Sequence, residues 1–164
     1  MNRIGLVCVL TAVVLVPNVF AADRCTLDKW GGARPPAKSY GPDDNEYINP
    51  THALKLTIPR GRTAHFEFST HGPESEPAMM IYSLNFAEQL AERGTGGNKG
   101  MGPLTVTGPK TVIITAWHKD GGGAWAGDYI RKESSTLGRN TWLAAGEDGG
   151  GNDYRDIVAT ISCR

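Results

Sequence analysis

The sequence predicts an all-β protein: an antiparallel β-sandwich of about eight or nine strands, preceded by an irregular N-terminal arm. Three observations lead there. From position 53 onward, short runs alternate apolar and polar side chains, the period-two signature of a strand with one face buried. Gly, Pro or Asn bounds nearly every run, so the chain reverses often. Only one segment carries helix signals, which leaves sheet packed on sheet as the way to bury the apolar faces.

The chain begins with "MNRIGLVCVLTAVVLVPNVFA", a basic residue at Arg3, an apolar run from Ile4 to Val16 and small residues near Ala21. That is the layout of a secretory signal peptide over residues 1–21, and the apolar run is too short to span a bilayer comfortably. The expected location is therefore secreted or periplasmic, without membrane insertion. Cleavage after Ala21 or Ala22 leaves about 142 residues, enough for one domain that buries about two-thirds of its unfolded surface. Residues 22–52, with "GGARPP", "YGPDDN" and "INP", read as an arm with turns, and residues 53–164 as the sandwich domain.

Within that domain, "ALKLTI" sets Leu54, Leu56 and Ile58 on one face, and "AHFEFS" sets Ala64, Phe66 and Phe68 on one face. "AMMIYSL", "PLTVTG", "KTVIITAW", "AWAGDYI", "TWLAA" and "IVATIS" supply the remaining strands. "NFAEQLAERG" has Asn85 in an N-cap position, Glu88 three residues on, and Gly94 as a stop. It is either a short helix or a hairpin arm whose helical propensity yields to sheet packing.

Cys8 leaves with the signal, so Cys25 and Cys163 remain. In an oxidising compartment two cysteines near the ends of one domain are expected to pair, with two free thiols as the alternative. Lys and Arg total 17, as do Asp and Glu. A chain so near neutrality, without a basic stripe, lacks the electrostatic footprint of a nucleic-acid binder.

No G-x-S-x-G elbow, H-E-x-x-H pair or Walker loop occurs, so an enzyme is not expected. His65 and Glu67 share a strand face that would suit a metal, although isolated surface histidines are commoner. Trp117, Trp125 and Trp142 fall in strand-like runs and read as core, with stacking on a sugar ring as the alternative. Glu147 and Asp156 would provide two carboxylates for a glycan-cleaving site, which needs a pair flanking the bond.

Those acids belong to "GEDGGGNDYRD", Gly146 to Asp156, which sets four acids among four glycines just before the last strand. Two carboxylates about 4 Å apart repel by roughly 4 kcal/mol at an effective dielectric near 20, so such crowding favours a bound cation. Calcium takes six to eight oxygens in flexible geometry, which a glycine-rich acidic loop offers, although the spacing is not that of an EF-hand. An ordinary solvated turn is the alternative.

The segment resembles the calcium-dependent fucose- and mannose-binding bacterial lectins of the fucose-binding lectin II type. That family reads Glu-Asp-Gly-x-Asp-x-Asp-Tyr-Asn-Asp before its final strand, and this chain matches at Glu147, Asp148, Gly149, Asp153, Tyr154 and Asp156. "TWLAAGEDG" and "KTVIITAWHKDGG" are similar to its preceding strands and turns, and "LTIPRGRTAHFEFSTHG" more loosely to its first hairpin. The resemblance implies a small antiparallel β-sandwich in which calcium ions hold sugar hydroxyls directly. It implies Glu147, Asp153 and Asp156 as calcium ligands, and Asp148, Asn152 and Gly149 as the residues of the sugar-binding loop.

The chain departs from the family at two ligand positions, where Gly151 replaces an aspartate and Arg155 an asparagine. Glycine brings no side-chain oxygen, and arginine brings a charge and no acceptor. "STHG" stands where the family has an asparagine ligand, and the chain ends sooner after the motif. One calcium ion is therefore expected rather than two. The alternatives are no calcium, with Arg155 neutralising the acids, or a site completed by other residues. The loops Thr70–Glu76 and His118–Gly123 would shape specificity. The expected partner is a carbohydrate or glycoconjugate, and a homo-oligomer stays open.

Overall fold

The computed structural model describes residues 24–32, 52–70, 76–84, 86, 88–95, 100–119, 123, 125–147 and 156–164. Eleven strands form two antiparallel sheets, and no helix occurs among the described residues. They are β1 (Thr26–Lys29), β2 (Ala53–Ile58), β3 (Thr63–Thr70), β4 (Ala78–Ser83), β5 (Gln89–Gly94) and β6 (Leu104–Thr107). β7 (Lys110–Lys119), β8 (Trp125–Gly127), β9 (Tyr129–Ser134), β10 (Thr141–Glu147) and β11 (Ile157–Cys163) complete the set. The first sheet has the order β1-β2-β7-β4-β5, with β8 also paired to β7. The second has the order β6-β3-β11-β10-β9.

The predicted sandwich is the observed one, with more strands than the eight or nine expected. Three local features account for the difference. Within the predicted arm, Thr26–Lys29 pairs with β2 in register Leu27↔Leu56 and forms one edge of the first sheet. The run "AWAGDYI" divides at Asp128, where the chain leaves the first sheet (β8) and enters the second (β9). "QLAERG" is β5, the hairpin arm of the two alternatives, paired with β4 from Ala78↔Gly94. Sheet packing overrides its helical propensity: Ala91 is buried in the core, and a Cβ at Gly94 would stand 2.3 Å from the Pro77 carbonyl oxygen.

The main core lies between the sheets. Leu54, Leu56, Ile58, Met79, Ile81, Val112 and Ile114 face it from the first sheet, and Phe66, Ala144, Ile157, Ala159 and Ile161 from the second. The alternation of β11, with every second residue from Ile157 to Cys163 buried, is the sequence pattern made structural. The Cys25–Cys163 disulfide, with Cα atoms 6.2 Å apart, joins the start of β1 to the end of β11 and so crosses from one sheet to the other.

A second apolar layer covers the outer face of the first sheet. Met80, Ile113 and Trp117 project there and are fully buried, with Trp30, Tyr82, Phe86 and Trp125 completing the cluster. Trp30 meets Phe86 edge-on at 5.1 Å between centroids, and Tyr82 meets Phe86 at 5.4 Å, within the range of favourable aromatic pairs. The buried Trp117 indole N–H donates to Thr115 Oγ1 at 2.8 Å, so its polar atom is satisfied. Trp117 and Trp125 are core residues, as read from the sequence, and Trp142 packs partly buried against the main core.

The two sheets pack tightly against each other at Gly146. A Cβ there would lie 2.5 Å from the Ala116 Cβ and 3.0 Å from Ile157 Cγ2. Gly146→Val is expected to cost about 1–3 kcal/mol through overpacking, read as a lower urea midpoint with an unchanged slope. An unaltered midpoint would mean that the sheets can separate freely at this point.

Candidate functional site

The acidic segment leaves β10 at Glu147 and rejoins the sheet at Asp156. The last rung of the β10–β11 ladder is Gly146↔Ile157, so Glu147 and Asp156 are the residues immediately beyond it, on adjacent strands. Of the predicted site residues, these two are described, and the topology brings them side by side. Asp148, Gly149, Asn152 and Asp153 lie outside the described residues, as do Gly151 and Arg155.

Glu147 is only 3% exposed, and Asp156 is half-buried. A carboxylate withdrawn this far from water is stable only with donors or a cation around it. Carboxylate oxygens are the donors that a hard cation such as calcium prefers, so the chemistry of the pair fits that ion. Among the described residues no group of three or more His, Cys, Asp or Glu side chains forms a metal site.

Both sheets supply the surroundings. Across the β9–β10 ladder Glu147 is opposite Tyr129, which is 55% exposed. The His52 ring lies 4.2 Å from the Tyr129 ring, centroid to centroid, and burial lowers the His52 pKa below its ordinary 6.5. Burial thus favours the uncharged imidazole. Thr70 pairs with Ile157, next to Asp156, so the loop after β3 starts at the same pole. The end of β7 reaches it too, because Ala116 touches Gly146. The bases of the two loops expected to shape specificity thus converge on the acidic segment, while residues 71–75 and 120–122 lie outside the described residues.

Tyr129 is the member that sequence reasoning missed. In "GDYIRKES" it is one polar position of an alternating strand, and only the register with β10 places it beside Glu147. An exposed aromatic ring next to oxygen donors can contact the apolar face of a pyranose while the acids take its hydroxyls.

Beneath this pole, Asp128 holds the corner between the sheets. Its backbone N–H donates to the Ala116 carbonyl at 2.9 Å, and its Oδ1 is in contact with His118 Nδ1. The Asp128 side chain is fully buried and that of His118 nearly so. His65, by contrast, contacts Thr105 Oγ1 at 3.2 Å through Nδ1, the arrangement of an ordinary surface histidine.

No family model matches the chain, and no curated protein matches it either. Solved structures do. The Ralstonia solanacearum high-affinity mannose-binding lectin is similar at 16% identity over 67% of this chain and 93% of its own, with a TM-score of 0.45. The C-terminal domain of the lectin BC2L-C from Burkholderia cenocepacia is similar at 15% identity over 65% and 91%, with a TM-score of 0.48. The Chromobacterium violaceum lectin CV2L, solved with alpha-methyl-fucoside, is similar at 16% identity over 68% and 94%, with a TM-score of 0.44.

Proposed function

We propose that this chain is a secreted or periplasmic carbohydrate-binding protein whose sugar site is the pole formed by the acidic segment. The observation that carries the reading is the buried Glu147 beside Asp156 at the mouth of two strands, with exposed Tyr129 on the neighbouring strand. In this reading Glu147, Asp153 and Asp156 hold one calcium ion, and Asp148, Asn152 and Gly149 line the sugar loop. A calcium ion there would neutralise the acids and take sugar hydroxyls as ligands. Asp148 would accept from a further hydroxyl, and Tyr129 would supply the apolar floor. Disulfides such as Cys25–Cys163 are rare in cytosolic proteins, which agrees with an exported chain. Among the described residues no helix is long and apolar enough to cross a membrane.

The reading makes binding without cleavage the expected activity. Calorimetry with calcium, then with a panel of monosaccharides, tests it. Calcium is expected to raise the thermal midpoint, because a ligand that binds only the folded state stabilises it. Glu147→Gln is expected to lower sugar affinity at least tenfold, and a chelator to abolish it. Sugar binding that survives both would remove the metal from the site, and an absence of any calcium heat or sugar binding would overturn the proposal. Hydrolysis of a glycan, lost in Asp156→Asn with binding intact, would instead identify an enzyme.

A further inference from the structure

At the opposite pole, on the outer face of the first sheet, lies a cleft of about 530 Å³. Its floor is a row of three threonines on adjacent strands. Thr26 is opposite Thr57, and Thr57 is opposite Thr111, so all three project from the same face. With strands about 4.8 Å apart, the row extends roughly 10 Å. Arg24, Arg60 and Lys110 stand around it, and no acidic side chain lines it among the described residues. Along β7, the step from Lys110 to Ala116 separates this cleft from the acidic pole by about 20 Å.

We infer that this cleft is a second site, one that takes an anionic saccharide bearing sulfate or carboxylate groups. Hydroxyls both donate and accept, which suits sugar hydroxyls, and a three-residue row has the reach of a disaccharide. Guanidinium forks bind planar or tetrahedral oxyanions through paired N–H donors. Arg24 and Arg60 form no ion pair or side-chain hydrogen bond among the described residues, so both guanidinium groups are available. Lys110 does have a neighbour, Glu88, at 3.7 Å, but both side chains are substantially exposed. An exposed pair of this kind is weak, and a ligand anion competes with it readily. Among the described residues no aromatic side chain lines the cleft, which disfavours a nucleobase, since bases are held by stacking. Leu84, 45% exposed, provides an apolar wall for a ring face. The site uses none of the residues of the acidic segment and does not rest on the reading of that segment.

The test is fluorescence anisotropy of the full exported chain with a labelled, sulfated tetrasaccharide, its unsulfated counterpart, and inorganic phosphate as competitor. The sulfated probe is expected to bind, and to weaken as salt rises. The variant carrying Arg24→Gln, Arg60→Gln and Lys110→Gln is expected to bind at least tenfold more weakly. Thr57→Val should weaken binding severalfold while leaving the salt dependence unchanged. A control with the same charge removed elsewhere (Lys29→Gln, Lys119→Gln, Arg139→Gln) should bind as the parent does, as should Glu147→Gln in chelator. Equal losses in the cleft variant and the control would overturn the site in favour of diffuse charge attraction. Equal affinity for the unsulfated probe, or displacement by millimolar phosphate alone, would overturn the ligand class. Loss of binding in Glu147→Gln would move the site to the other pole.

Discussion

Replacing Cys25 and Cys163 together by alanine is expected to lower the unfolding free energy by about 2–5 kcal/mol. The two residues are 138 apart in sequence, so the bond closes a loop that spans the domain. Chain entropy puts the upper figure for such a loop near 5 kcal/mol, and measured effects are commonly smaller. The position of the bond adds to the expectation. β1 is an edge strand of only four residues, and its one core side chain is Leu27. The disulfide ties that strand to the centre of the other sheet, because β11 lies between β3 and β10. Guanidinium denaturation with and without reductant measures the effect. A parent protein as stable when reduced as when oxidised would show that β1 holds its place through β2 alone.

Asp128→Ala is the second large effect, expected at about 2–5 kcal/mol. Asp128 is the residue at which the chain passes from β8 to β9, and its fully buried carboxylate meets His118. Truncation leaves the imidazole without that partner in a site with little access to water, which is the costly way to lose a polar contact. Asp128→Asn keeps an acceptor of the same shape and should cost less. A double-mutant cycle with His118→Ala gives the decisive number, since a true pair is non-additive by 0.5 kcal/mol or more, roughly the threshold for contacting residues. Additive losses would mean that the corner is held by the backbone bond to Ala116 and that the side chains are incidental. The same substitution should disturb Tyr129, the next residue, and through it the rim of the acidic pole.

Much of the fold was legible in the sequence because period-two burial is a local signal. β2, β3 and β11 show it cleanly, and their limits differ from the expected ones by at most a residue at each end. The parts that were not legible depend on partners distant in sequence. Thr26–Lys29 carries a single apolar residue among polar ones and becomes a strand only because β2 offers its edge. Gln89–Gly94 has helical propensity that a glycine pressed against the Pro77 carbonyl and the pairing with β4 overrule. For the site, the density of acids made Glu147 and Asp156 visible, and their adjacency follows from the hairpin they close. Tyr129 and His52 were silent, since their meeting depends on how one sheet is laid over the other.

In β7, as in neighbouring β4, alternation fails, with six consecutive residues from Val112 to Trp117 all buried. The cause is the aromatic layer on its outer face, which leaves the first sheet with no wet side over that stretch. The second sheet turns Val158, Thr160 and Ser162 outward and keeps a solvated face. Local opening therefore has unequal costs in the two halves. Freeing β7 exposes apolar surface on both faces at once, whereas peeling β9 away exposes it on one. The first sheet is therefore expected to be the stiffer of the two, and the second, which bears the ends of the acidic segment, the more pliant. Small adjustments at the Glu147–Asp156 end are then expected to leave the first sheet, on which the opposite cleft is built, undisturbed.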